Sequence, residues 1–208
     1  MRYVAFFICA LLALAFLSPT AAAQIRLNEI LADPASDWDS DGTVNSKLDE
    51  WVEIVNVGAT TVDLSRFRLT DESGGTAWRF VLSGTLAPGA VRLVTGAEVS
   101  AWQTANGVGN FGLSLNNGGD TVYLYEVVGS DTLVADSRAF GSVEVADDRA
   151  VGRQPSGTGA WVLFDGLNPY TGSAYVATGC RPSPGAVIEC TTPVETSSWG
   201  AIKNLYED

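Results

Sequence analysis

Histidine is absent from the 208 residues. Its absence removes the commonest general base, the usual partner of a nucleophilic serine or cysteine, and most catalytic zinc ligand sets. Bases are scarce as well: 12 Lys and Arg stand against 24 Asp and Glu, a formal net charge of −12. Affinity for nucleic acid rests largely on Lys and Arg neutralising phosphates, so this balance disfavours a nucleic-acid partner. Cysteine numbers only three, and one of these, Cys9, lies within an N-terminal apolar run. That run is the one long apolar stretch, and no convincing helical period follows it through the body of the chain.

Arg2 precedes the apolar run from Tyr3 to Leu17, Ser18-Pro19-Thr20 breaks it, and Ala21-Ala22-Ala23 supplies the small residues that a signal peptidase reads. A membrane anchor needs roughly 18 or more apolar residues and different flanks. The expectation is therefore a signal peptide over residues 1–23 and an exported, soluble protein, secreted or associated with the cell envelope at the periplasm or cell surface. Cleavage removes Arg2 and no acid, leaving 11 bases against 24 acids, a net charge near −13. Cys180 and Cys190 are then the only thiols, and in an exported chain two cysteines most simply form one disulfide. No His or basic cluster beside them would activate a thiolate.

Strand-like runs recur at short intervals: Ile25–Leu31, Trp51–Val57, Thr61–Leu64, Phe67–Thr70, Ala77–Leu82, Ala90–Thr95, Thr121–Val128, Leu133–Phe140, Arg149–Arg153 and Trp161–Phe164. Gly, Asn, Asp and Pro punctuate them at Asp71–Gly75, Pro88-Gly89, Asn116–Asp120, Gly129–Asp131 and Pro155–Gly159. Short strands at this spacing predict an all-β sandwich over residues 24–190. Residues 191–208 form a tail in which Trp199, Ile202, Leu205 and Tyr206 would share a face of a short helix.

Between the first two strands lies the stretch Asp37-Trp38-Asp39-Ser40-Asp41-Gly42-Thr43-Val44-Asn45, followed by Asp49-Glu50. Alternating Asp side chains around a turn glycine suit a hard cation such as calcium, which takes six to eight oxygen ligands. On the pattern of a twelve-residue calcium loop, Asp37, Asp39 and Asp41 take positions 1, 3 and 5, Thr43 position 7 and Asn45 position 9. Leu48 stands where the closing Glu belongs, and neither flank is an amphipathic helix, so this is no EF-hand. The expected ligand set is Asp37, Asp39, Asp41, Thr43 and Asn45, closed by Asp49 or Glu50 from the next strand. The competing reading is a solvated turn whose Asp side chains cap backbone amides.

The segments Leu27–Pro34, Asp49–Asn56 and Val62–Asp71 resemble the opening of the lamin tail domain. Gly84–Gly89, Leu115–Val122, Gly152–Pro155 with Trp161, and Ser183–Ala186 resemble its later segments, so the resemblance covers roughly residues 25–187. It implies an immunoglobulin-like sandwich. It also implies a module without catalysis, since in nuclear lamins this domain is a protein and DNA interaction surface and in bacteria it accompanies exported hydrolases. The acidic charge of this chain sits badly with the DNA role.

The expected function is thus a non-catalytic exported binding or adhesion module with structural calcium in the Asp37–Glu50 loop. Its partner would be a protein or a surface glycan, the latter stacking on Trp38. One alternative is an accessory subunit of a separately encoded exported hydrolase. Another is a metal-dependent hydrolase using the carboxylates of Glu29 and Glu53 on adjacent strands.

Overall fold

The computed structural model describes residues 24–71, 78–187 and 190. The expected signal peptide, the tail from residue 191, most of the Asp71–Gly75 turn and the start of the Ala77–Leu82 strand lie outside the described residues. The chain forms strands β1 (Ile25–Leu31), β2 (Trp51–Asn56), β3 (Val62–Asp63), β4 (Phe67–Thr70), β5 (Phe80–Val81), β6 (Thr85–Leu86) and β7 (Val91–Thr95). Helix α1 (Gly96–Ala105) follows, then β8 (Gly119–Val128), β9 (Asp131–Gly141), β10 (Ala150–Gln154) and β11 (Ala160–Phe164).

A five-stranded antiparallel sheet in the order β11-β10-β1-β2-β7 faces a four-stranded one in the order β5-β4-β8-β9, with β3 and β6 pairing at the side. The architecture is an all-β, immunoglobulin-like sandwich. Between the sheets pack Ile25, Leu27, Ile30, Val52, Ile54 and Val151 from one side and Phe67, Leu69, Val122, Leu124 and Phe140 from the other. This is the inner face that period-two alternation selects.

The outer face of the five-stranded sheet is buried too. Leu31, Trp51, Ala150, Val162 and Phe164 form a second cluster against which Trp38, Leu93, Cys180 and Cys190 pack. All six residues of β2 are consequently buried. The cover consists of the acidic loop and of the segment after β11, which bridges to that strand through Leu163 and Ala177.

Three local features differ from the sequence reading. Helix α1 stands where no helical period is visible, because it is short and its apolar residues form no continuous stripe. Thr95 caps it by accepting from the Glu98 amide at 3.2 Å. The expected strand Thr61–Leu64 stops at Asp63, whose carboxylate accepts from Ser65 N at 2.9 Å and turns the chain into a 3-10 turn over Leu64–Arg66. The Asn116–Asp120 punctuation does not lie between two strands that pair with each other, since β7 and β8 belong to different sheets. It leads a long loop into β8, with the left-handed conformation taken by Gly119 at φ 123° rather than by either Asn.

Helix α1 also props the acidic loop. Its first amides, Gly96 N and Ala97 N, donate to Glu50 O at 2.7 Å and Leu48 O at 3.0 Å. A Cβ at Gly96 would stand 1.8 Å from Lys47 O, so glycine is what lets the two backbones meet.

Candidate metal centre

The loop between β1 and β2 folds around Asp49, two residues before the start of β2. Asp49 is buried, and its Oδ1 accepts from Trp38 N at 2.6 Å and Asp39 N at 2.9 Å, while Oδ2 accepts from Asn45 N at 2.7 Å. Three amides drawn onto one carboxylate bend the chain back on itself and bring Asp37 and Asp39 alongside. Oxygen atoms of Asp37, Asp39 and Asp49 lie within 4.8 Å of one another. Among the described residues no ion pair supplies a Lys or Arg to any of the three.

The other expected ligands are placed differently. Asp41 is exposed, and its Oδ1 accepts from Thr43 N at 2.8 Å; its own amide donates to Asp37 Oδ1 at 3.2 Å and to Asp39 Oδ1 at 3.1 Å. Asp37 Oδ2 accepts from Gly42 N at 2.8 Å. Thr43 is exposed, and Asn45 uses its side-chain oxygen on Lys47 N at 3.0 Å and Leu48 N at 3.2 Å. Glu50 turns inward, where its Oε2 accepts from Leu115 N at 3.2 Å. Burial pushes the Glu50 carboxyl up to about 8, against the pull of the Leu115 and Ser114 amides and of Lys47.

The gathered charges disturb one another. Partial burial raises Asp39 above the ordinary carboxylate range; the Asp41 amide opposes this, and the charges of Asp41, Asp49 and Asp37 add to the rise. A divalent ion would remove that repulsion. The donor set is all oxygen, which fits calcium or magnesium rather than a softer metal.

Trp38 is not a free platform within this loop. Its ring packs edge-on against Trp51 at 6.0 Å, and its Nε1 donates to Asp148 Oδ1 at 2.7 Å. Asp148 went unnoticed in the sequence, yet it takes the amides of Ala35 at 2.7 Å and Ser36 at 3.0 Å as well as the Ser36 hydroxyl. Burial works to raise its pKa, but those donors outweigh burial and hold it below the usual range. The paired acids Asp147-Asp148 before β10 were the only sequence signal for it.

The same use of carboxylates recurs away from the loop. Glu29 and Glu53 are both fully buried beneath Ser183 and Gly185. Ser183 Oγ donates to Glu29 at 2.8 Å, Gly185 N to Glu53 at 2.8 Å, and Asn28 Nδ2 to Glu53 at 2.6 Å. Asp165 accepts from Tyr170 N and Gly179 N, each at 2.8 Å. The two glutamates that resemble an acid and base pair in the sequence are thus covered by backbone and occupied in holding it.

The fold and this arrangement define an immunoglobulin-like sandwich whose acids tie down its loops. The model of the lamin tail domain matches residues 18–142, more than half of the chain, and the chain belongs to that family. The match ends before β10, so the later segments that resemble the family, around Gly152–Pro155 and Ser183–Ala186, fall beyond it. Comparison with curated proteins and with solved structures returned no significant match. Lamin tail domains are non-enzymatic, and at that level this chain is a non-catalytic domain. No helix among the described residues is long and apolar enough to cross a membrane.

Proposed function

We propose that this chain is an exported binding module of lamin-tail type, with a calcium ion held by Asp37, Asp39 and Asp49 to stiffen the loop beside β2. The partner would be a protein or a surface glycan that docks outside the sandwich. The observation that carries this reading is how the carboxylates are spent. Glu29, Glu50, Glu53, Asp148 and Asp165 accept backbone amides or neighbouring side chains, and Asp37, Asp39 and Asp49 do so as well, so convergence is what sets the last three apart. Asp37, Asp39 and Asp49 form the acidic group among the described residues whose oxygens converge on one point. An ion there would neutralise a loop and perform no chemistry.

Export is supported by the apolar leader ending in Ala21-Ala22-Ala23 and by the Cys180–Cys190 disulfide, a bond that persists in oxidising compartments. Calcium and magnesium titrations of residues 24–208 by calorimetry and thermal shift test the metal, because an ion bound by the folded state alone raises apparent stability by mass action. A rise with calcium is expected, and no shift at millimolar calcium removes the site. A panel of phosphoester and glycoside substrates with calcium present should show no turnover. Turnover that is lost in Glu29→Gln or Glu53→Gln would overturn the non-catalytic reading.

A further inference from the structure

The segment after β11 carries one disulfide, two glycine bends and a set of bonds to the outer face of the five-stranded sheet. Up to Thr178 it is pinned along β11, since Leu163 N donates to Val176 O at 2.8 Å and Thr178 N to Leu163 O at 3.1 Å. Beyond Gly179, a left-handed residue at φ 69°, it crosses that face. There Cys180 and Cys190 pack on Leu31, Trp51, Ala150, Val162 and Phe164.

Residues 179–187 meet that face through backbone amides, one carbonyl and one hydroxyl, the Ala186 amide to Glu53 among them. Gly179 N reaches Asp165 Oδ1 at 2.8 Å, Cys180 O accepts from Gly166 N at 2.7 Å, Ser183 bonds to Glu29 and Gly185 N to Glu53. The described residues 179–187 contribute no strand to either sheet and no side chain to the cluster between the sheets. The Cys180–Cys190 bond, with Cα atoms 6.0 Å apart, closes the crossing into a loop by tying Cys190 back to its start, and Gln154 Nε2 donates to Cys190 O. Both cysteines are only partly buried, so an external thiolate has access to sulfur.

We infer that residues 179–187 form a redox latch: cleavage of the Cys180–Cys190 bond by a dithiol frees this strap from the outer sheet face while the sandwich stays folded. The exchange balances. One dithiol attacks, its own disulfide forms, and Cys180 and Cys190 each leave as a thiol carrying one proton, two electrons having passed to the protein. The hinge is Gly179, because the chain before it stays bonded to β11. The strap's release takes Cys180 and Cys190 off the outer cluster and opens part of an apolar face that Trp38 still covers at Trp51.

Two properties favour local release over global unfolding. The main core lies on the opposite face of the sheet, and local openings draw on segments with few contacts of their own. Closure of so short a loop restrains the strap by a factor of roughly a hundred, which its loss returns.

The test is hydrogen exchange with mass or NMR detection on the full chain, before and after a small dithiol, with calcium held constant. Amides of Gly179, Ser183 and Gly185 should exchange about a hundredfold faster after reduction, while those of Leu69 and Leu124 keep their protection. A polarity-sensitive dye should bind the reduced protein and the tryptophan emission should shift red. The Cys180→Ser/Cys190→Ser double variant should behave like the reduced protein without any reductant. Unchanged protection of Gly185 on reduction would overturn the latch, because the strap then stays docked. Loss of protection at Leu69 and Leu124 together with Gly185 would overturn it equally, because the bond then staples the whole fold.

Discussion

Glu29 on β1 and Glu53 on β2 are register partners on the outer face of one sheet, and both are fully buried. Two carboxyl groups side by side in an apolar setting disfavour ionisation, and the strap above answers with donors rather than with a basic side chain. Ser183 offers its amide and hydroxyl to one, Gly185 its amide to the other. Gly152, on the neighbouring strand, makes room: a Cβ there would stand 2.6 Å from the Phe164 ring and 3.0 Å from Glu29 Cγ.

This pair sets a pH dependence. Burial pushes Glu29 from its ordinary value of 4.5 to about 8 and Glu53 to about 7, in each case against hydrogen bonds that pull downward. Glu50 moves the same way, to about 8. Between these values and 4.5 the folded state keeps protons that the unfolded chain has released. Stability is therefore full below about 4.5 and is lost as the pH rises through 7 to 8. Urea unfolding in calcium-free buffer should show the protein more stable at pH 5 than at pH 8.5. Glu29→Gln should flatten that slope. A stability that holds level or climbs from pH 5 to pH 8.5 would show that these groups are ionised in the folded protein.

A second ionic feature repairs a break in the sheet. The β1 and β2 register slips between Leu27 and Glu29, and the Leu27 amide and carbonyl are met by side chains. Leu27 N donates to Asp136 Oδ2 at 3.1 Å, Arg153 Nε donates to Leu27 O at 3.1 Å, and Arg153 and Asp136 pair at 3.2 Å. Arg153 also stacks on Trp161 at 4.6 Å from the ring centre. Asp136→Ala leaves a largely buried guanidinium and an orphaned amide, and should cost about 3 kcal/mol in urea unfolding. Asp136→Asn keeps an acceptor for Leu27 and should cost less. Equal losses in the two variants would mean that the amide bond to Leu27 contributes nothing.

How far the sequence discloses all this depends on distance along the chain. The alternation at Ile25 and Leu27 and the β-rich run at Val52 and Ile54 locate β1 and β2, because period-two patterning is local. The same patterning cannot show that Trp51 and Glu53, on the opposite side, are also covered. Their cover comes from residues such as Ser183, 154 positions from Glu29. Within the acidic loop, spacing of Asp residues located Asp37 and Asp39, and the position of Asp49 before β2 added the third oxygen donor. Glu50 looked equivalent to Asp49 in sequence, yet its side chain turns inward to the Leu115 amide while Asp49 takes the amides of the loop. Asp148 sits 110 positions from the Trp38 indole that it holds, and no local pattern encodes that contact.

The three gathered carboxylates separate structural from metal-binding roles by mutation. Asp49 accepts three backbone amides, so Asp49→Ala should destabilise the protein in the absence of any ion, by about 2 kcal/mol. Asp37 and Asp39 are only half-buried and should tolerate replacement better. The double variant Asp37→Asn/Asp39→Asn should keep the melting temperature of the calcium-free protein within a few degrees while abolishing the upward shift that calcium causes. A calcium shift that survives in the double variant would place the ion elsewhere.

The domain extends beyond the stretch that matches the lamin-tail model. β10 pairs with β1 through Glu29 with Gly152 and Ile30 with Val151, so β1 loses a neighbour if the chain stops at residue 142. Val145 and Val151 belong to the main core, and Val162 and Phe164 to the outer cluster. Removing these four side chains takes away on the order of 8 kcal/mol of apolar burial, comparable to the whole stability of an ordinary domain. Residues 24–142 should therefore lack a cooperative unfolding transition and show poor amide dispersion by NMR, whereas residues 24–190 should fold. A sharp two-state transition in the shorter fragment would mean that β10, β11 and the strap are an addition to a domain already complete without them.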